Sequence, residues 1–363
     1  MKSKKNELAG TQCGDFFYVQ WHITEKCRNN CKHCYSRNHR INKDISLSDF
    51  RKILNDIKVN ICKRWGRMAQ ITLIGGDPMI HPDFSRMVEI LGKEKWIRLL
   101  IAGNPEPLTT EKIRFLKDKN VFAYQLSLDG LKDTHDKIRY KGSFDITTRK
   151  IKELSELGMR IHVMSTISER NIDEMKDVMN LAYSLGAHRW AFSRYVPPVG
   201  NKLKLSPSKY YSFLEEIERA HKPYEKLGFP RQIKDPLWTT LRGINKNAVD
   251  CDECNAQKDG CGIGTPTIGI LPDKTIMACR RHAGSALGKW KNNNLLHLFL
   301  NSPAMNKLRK IELIRGCQSC KYLYYCRGCR AVAYAVRGNL YDPDPTCIIL
   351  HNKIKKKKGN YRL

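Results

Sequence analysis

Two hydrophobic periodicities alternate along the N-terminal half of the chain. Short apolar runs at residues 17–23, 69–74, 97–102, 121–128, 160–166 and 189–195 read as strands, and the segments between them carry apolar residues at helical spacing. In the first such segment Leu47, Phe50, Ile53, Leu54 and Ile57 share one face, with Ser46 or Ser48 placed to cap the helix. Phe84, Met87, Val88 and Leu91 repeat the pattern after Asp83, and two later helices run out at Gly158 and Gly186, both placed as C-terminal capping glycines. Six strand–helix repeats predict a parallel sheet with right-handed crossovers, short of the eight strands that close a full barrel. The expected fold class is α/β, a partial (β/α)6 barrel over residues 16–205, with its chemistry at the C-terminal ends of the strands.

Outside the barrel the pattern changes. Residues 1–15 read as an N-terminal tail, 206–250 as a charged helical bridge, 251–350 as a cysteine-rich unit and 351–363 as a basic, solvated tail. No apolar run approaches the length of a membrane span, and the stretch Met1-Lys2-Ser3-Lys4-Lys5-Asn6 has no signal-peptide core. Fourteen cysteines therefore read as metal ligands in a reducing, cytoplasmic setting, not as a disulfide framework. Iron–sulfur content on that scale also predicts oxygen sensitivity. The formal charge of +29 invites an acidic partner. Its basic residues are scattered and not gathered on one arm, so nucleic acid is not the expected partner, and no membrane partner is expected either.

Three cysteines, Cys27, Cys31 and Cys34, form a C-x3-C-x2-C triplet just after the first strand. Three thiolates suit an iron–sulfur cube that keeps one iron free for chemistry. Structural zinc would want a fourth ligand, which His39 could supply. The segment Thr24-Glu25-Lys26-Cys27-Arg28-Asn29-Asn30-Cys31-Lys32-His33-Cys34-Tyr35 resembles the cluster loop of the radical S-adenosylmethionine (radical SAM) superfamily, with His33 in the place of an aromatic residue. Gly75-Gly76-Asp77-Pro78, after the second strand, resembles the family's Gly-Gly-Glu-Pro-like turn, with Asp for Glu.

That resemblance implies a TIM-like partial barrel and a [4Fe-4S] cluster that chelates S-adenosylmethionine. It also implies a one-electron donor such as flavodoxin or ferredoxin, and a 5′-deoxyadenosyl radical that takes a hydrogen atom from substrate. Gly75 and Gly76 would allow close approach to the methionine part, Asp77 would accept from its ammonium, and Pro78 completes the turn. His33 belongs to the same cofactor set. Ser127 and Asp129 match family positions near the ribose or the active-site floor, although Asp129-Gly130 also reads as a plain turn. Thr166 and Asn171 match a position near the cofactor. Arg194, at the end of the sixth strand, could meet a substrate carboxylate or be a solvated charge.

Cysteines crowd together again at Cys251, Cys254, Cys261, Cys279, Cys317, Cys320, Cys326, Cys329 and Cys347. The C-x2-C pairs 251/254, 317/320 and 326/329 would suit zinc ribbons. Their order resembles a SPASM extension, with Lys274 where a glycine is usual and Cys329 one residue closer to Cys326 than in the common spacing. The resemblance implies two auxiliary iron–sulfur clusters. Cys254, Cys261, Cys279 and Cys329 would hold the first, with Cys251 an alternative to Cys254; Cys317, Cys320, Cys326 and Cys347 would hold the second. Cys13, Cys62 and Cys251 are left over. Cys62 falls near the end of the first helix and reads as packing. Cys13 and Cys251 remain candidates for a hydrogen-donating thiol by elimination.

The expected reaction is modification of a ribosomally made precursor peptide by a thioether or carbon–carbon crosslink, or by epimerisation. The alternative is a haem- or cofactor-pathway enzyme acting on a carboxylate-rich small molecule. Sulfatase maturation is weaker, because that subfamily places an aspartate where this chain has Arg280. A zinc protein that binds nucleic acid is the reading from a different class.

Overall fold

The computed structural model describes residues 16–36, 43–233, 235–243, 260–282 and 284–359. Strands β1 (Phe16–Thr24), β2 (Met68–Gly75), β3 (Ile97–Ala102), β4 (Ala123–Ser127), β5 (Ile161–Ile167) and β6 (Arg189–Arg194) pair side by side in chain order, every pair parallel. All six expected strands are present, with small shifts at their ends. Six helices cover the outer face: α1 (Leu47–Asp56), α2 (Phe84–Gly92), α3 (Thr110–Asp118), α4 (Lys132–Ile138), α5 (Ser143–Glu156) and α6 (Met175–Ser184).

Strand alternation explains the layering. Phe17, Val19, Trp21 and Ile23 of β1, Ile71 and Leu73 of β2, and Trp190 and Phe192 of β6 point outward into the helix layer and are buried. Trp21 stacks on Phe50 of α1 with ring centroids 4.4 Å apart. The opposite faces carry Gln20, Thr72, Gln125, Met164 and Ser193 into the barrel lumen. Helix ends follow the local signals. Ser46 caps α1 by accepting from the Asp49 amide at 3.1 Å, and Gly158 and Gly186 adopt φ of +67° and +82° just after α5 and α6. Beyond Asp56 the first helix continues as π-helical turns over Ile57–Lys63, which bring Ile61 and Cys62 into the core beside Ile57.

The sheet is longer than the sequence pattern predicts. After α7 (Pro207–Lys226), the segment read as a bridge supplies β7 (Arg231–Ile233), parallel to β6, and then the short α8 (Trp238–Arg242). In the cysteine-rich segment β8 (Thr267–Ile270) pairs parallel to β1, and β9 (Thr275–Met277) and β10 (Ala286–Lys289) follow antiparallel. One ten-stranded sheet results, in the order β10-β9-β8-β1-β2-β3-β4-β5-β6-β7. These added strands are only three or four residues long, too short to show a period in the sequence. Four more helices complete the chain: α9 (Leu295–Asn301), α10 (Pro303–Arg309), α11 (Arg330–Arg337) and α12 (Ile348–Gly359). Among the described residues no helix is long and apolar enough to cross a membrane.

Asp56, fully buried at the end of α1, fastens the C-terminal segment to the barrel. Its carboxylate accepts from the Trp290 indole N–H at 2.6 Å, the Leu295 amide at 3.2 Å and Asn60 at 2.7 Å. Asp56→Ala orphans two buried donors outside its own helix, at about 1–3 kcal/mol each. Its expected stability loss of about 2–6 kcal/mol is read by denaturant unfolding.

Candidate active site

The cysteine triplet occupies the loop after β1, at the C-terminal end of the barrel. Several contacts shape that loop. Backbone amides of Gly76 and Asp77 donate to the carbonyls of Thr24 (3.0 Å) and Lys26 (2.8 Å), so the turn after β2 lies directly on the loop after β1. Neither glycine can carry a side chain there. A Cβ on Gly75 would stand 1.9 Å from the Thr24 carbonyl oxygen, and one on Gly76 would stand 2.0 Å from that of Lys26. The close approach these glycines permit is thus to the chain's own cysteine loop. From the other side Asp44 accepts from Thr24 Oγ1 and pairs with Lys26, both at 2.6 Å, and Lys32 N–H reaches the Ile138 carbonyl at 2.9 Å.

Asp129 is the electrostatic centre beneath the loop. It is fully buried, pairs with Arg139 Nε at 2.7 Å, lies 3.4 Å from His33 Nε2, and accepts the Thr166 amide at 2.7 Å. Burial alone would raise its carboxyl; Arg139 foremost, then His33 and His135, hold it down at about 2. Arg139 in turn extends Nη1 toward Cys31 Sγ at 3.9 Å, and Asn104 Nδ2 approaches Cys27 Sγ at 3.5 Å. Asn171 spends its amide on the carbonyls of Asp129 (2.8 Å) and Thr166 (2.9 Å). The expected cofactor residues His33, Asp129, Thr166 and Asn171 therefore form one connected group, bonded to one another. Ser127 ends β4 beside them, half-buried.

Asp77 is buried, and its carboxylate caps the Met79 amide at 3.2 Å; Pro78 begins the short helical turn that follows. Burial pushes the Asp77 carboxyl up to about 6, against the pull of that amide. A cationic group at this place would restore its charge, as the ammonium of S-adenosylmethionine would. The donor set of three thiols beside a cation and an amide donor likewise fits an anionic iron–sulfur cube. Among the described residues no three His, Cys, Asp or Glu side chains stand in chelating geometry, so the fit rests on the chemistry of the donor set.

The later cysteines divide into two groups. Cys261, Cys279 and Cys329 line a cavity of about 530 Å³ in the barrel lumen. Cys317, Cys320, Cys326 and Cys347 line a separate, small pocket. Cys326 and Cys329 are joined by Arg327 and Gly328, both in left-handed backbone at φ of +61°, which accommodates the shortened spacing. Lys274 takes φ +70° in the β8–β9 turn, the conformation for which a glycine would be the ordinary choice, and its ammonium reaches Asp49 of α1 at 3.2 Å. Cys62 is buried in the core, and burial pushes its thiol up to about 12, as packing requires. Cys13, Cys251 and Cys254 lie outside the described residues, as does His39.

Arg194 departs from its expected place. Trp190 and Phe192 face the helices, and the same strand parity turns Arg194 outward, away from the lumen. It is 1% exposed and donates to Asp235 from Nε at 2.5 Å, to both carboxylate oxygens of Asp344 at 2.8 and 2.7 Å, and to Thr346. Its fork is occupied by the chain's own carboxylates. Asp344 also receives the Cys329 amide at 2.7 Å, so this network links β6 to the cysteine-rich segment. Arg139, Asp235 and Asp344 carried no sequence signal of these roles, since partners 10, 41 and 150 residues apart are brought together only by the fold.

Residues 21–182 match the family model of the Radical SAM superfamily. The barrel belongs to that superfamily, and a cysteine-rich segment follows it. It is 26% identical over 341 residues to the AdoMet-dependent heme synthase of Methanosarcina barkeri, covering 91% of this chain and 95% of that protein. It is 23% identical over 349 residues to the mycofactocin maturase MftC of Mycolicibacterium smegmatis, covering 91% and 82%. The crystal structure of Streptococcus suis SuiB bound to S-adenosylmethionine shares the fold, with a TM-score of 0.74 at 16% identity, over 95% of this chain and 79% of that one.

Replacing Arg194 by Met would leave Asp235 and Asp344 buried without their cation. A loss of about 3–5 kcal/mol is expected for breaking a buried pair from one side, measured by unfolding monitored at the tryptophans.

Proposed function

We propose that this radical SAM enzyme oxidises a carboxylate-rich small molecule of the tetrapyrrole type. One observation carries the reading: Arg280 and Arg281 line the lumen cavity beside Cys279, and among the described residues no Asp or Glu lines it. About 530 Å³ lies within the size of cavities that hold small organic ligands. Arg280 follows Cys279 directly. Its guanidinium lies 5.4 Å from the Tyr35 ring, and its Nη1 is buried without a hydrogen-bond partner among the described residues. A planar fork held on an aromatic face, with a donor to spare, suits a carboxylate. Tyr35 OH meets His22 Nε2 at 3.4 Å, and burial together with Arg280 pushes His22 down to about 3, so this imidazole is neutral at pH 7.

Cys27, Cys31 and Cys34 would hold a [4Fe-4S] cube which, with S-adenosylmethionine bound, supplies the hydrogen-abstracting chemistry. Gly75, Gly76, Asp77 and Pro78 would flank the methionine part, and Asp129 with Arg139 keeps the loop in place. Cys254, Cys261, Cys279 and Cys329 would hold one auxiliary cluster at the substrate cavity; Cys317, Cys320, Cys326 and Cys347 would hold another. The kinship with the heme synthase supports a tetrapyrrole. Kinship with the mycofactocin maturase supports a second reading, a precursor peptide whose acidic residue would meet the same arginines.

The first test is anaerobic turnover of the reconstituted enzyme with a propionate-bearing iron porphyrin, followed by substrate mass and 5′-deoxyadenosine. Substrate-dependent cleavage with a changed porphyrin mass supports the reading; a response only to a peptide encoded beside the gene moves the assignment to peptide maturation. Cys27→Ala, Cys31→Ala and Cys34→Ala are expected to abolish 5′-deoxyadenosine formation while much of the auxiliary iron remains, as counted by iron analysis. Arg280→Gln is expected to raise KM about tenfold or more with kcat little changed, as loss of one charge-assisted contact does.

A further inference from the structure

The lumen has a second gathering of positive charge at the end opposite the cysteine loop. Arg98 is the second residue of β3 and Arg189 the first of β6, and Arg160 immediately precedes β5, so all three stand at the N-terminal ends of parallel strands. Phe122 is a shared platform, with the guanidinium carbon of Arg98 at 4.9 Å and that of Arg160 at 4.6 Å from its ring centroid. Arg98 also lies 4.2 Å from the ring of Phe16. Aromatic faces orient guanidinium planes while leaving their in-plane N–H donors free to bind.

Nothing in the described structure neutralises this group. By contrast, the two fully buried guanidiniums described above have carboxylates of their own, Arg194 with Asp235 and Asp344, Arg139 with Asp129. Among the described residues none is paired with Arg98, Arg160 or Arg189. Arg189 Nε is shut off from solvent without a hydrogen-bond partner. Burial foremost, then Arg160 and Arg98, weaken its hold on its proton. Like charges crowded round an unsatisfied buried donor are unfavourable unless an anion completes the set.

We propose that this N-terminal mouth of the barrel is a binding site for a small dianion, a phosphate or a dicarboxylate, held by Arg98, Arg160 and Arg189 and distinct from the substrate end at Arg280. The site does not depend on which substrate the enzyme oxidises. Isothermal titration of the anaerobically reconstituted full chain with inorganic phosphate, and separately with succinate, at constant ionic strength tests it. A saturable single site is expected for at least one probe, and the tighter of the two identifies a phosphoryl or a carboxyl ligand. Affinity should fall about tenfold or more in Arg189→Gln and in Arg98→Gln, and stay unchanged in Arg280→Gln. Arg160 is exposed, so Arg160→Gln gives the same reading in a variant whose folding is not at risk. Absence of saturable binding for both probes, full affinity in the Arg98, Arg160 and Arg189 variants, or a loss confined to Arg280→Gln would each overturn the proposal.

Discussion

A single buried guanidinium joins the two halves of this protein. Arg194 projects from the end of β6 into a space closed by Asp235 and Asp344, and Asp344 passes the connection on to the Cys329 amide. A buried charge needs full pairing, and this one obtains it from carboxylates at two distant points of the chain. The cost of separating them keeps the cysteine-rich segment in register with the barrel. Asp56 does the same at the opposite edge, where Trp290 and Leu295 meet α1. Between these two fastenings the added strands β8 to β10 continue the barrel sheet from β1, and so bring Cys261, Cys279 and Cys329 over the lumen.

A second buried ion pair organises the chemistry. Asp129 and Arg139 sit beneath the triplet loop; Asp129 faces His33 at 3.4 Å and accepts hydrogen bonds from Thr166 and Asn171, with Cys31 beside the other end of the guanidinium. This group preorganises a loop that would otherwise be a string of polar residues without a core of its own. The turn after β2 completes the support through backbone contacts that only glycine allows. Rigid backing of this kind suits a site that must hold a reactive cofactor in one orientation and away from water.

Strand parity divides the arginines by role. Those at lumen-facing positions, Arg98 and Arg189, remain without a carboxylate among the described residues, whereas Arg194, on the outward face of the same strand as Arg189, is fully paired. The lumen is thereby positive at both ends and polar between them, with Gln20, Thr72 and Gln125 along its walls. Such an interior is suited to anionic ligands and repels cationic ones.

Local patterns carried much of this. The six barrel strands, the Ser46 cap, the glycine helix ends, the triplet loop after β1 and the glycine turn after β2 are all encoded within short windows, because side-chain period, capping and backbone freedom are local properties. The division of the later cysteines could be put forward only by resemblance, and the fold then gathered Cys261, Cys279 and Cys329 apart from Cys317, Cys320, Cys326 and Cys347. Tertiary structure alone decided the rest. β7 and β8 are too short to announce themselves and exist because β6 and β1 offer them edges. Arg194 looked free for a ligand until Asp235 and Asp344 arrived from elsewhere in the chain, and Arg280 became a candidate anchor only when no carboxylate among the described residues proved to line the lumen. Charge pairing and cavity lining depend on residues far apart in sequence meeting in space, and no local pattern records them.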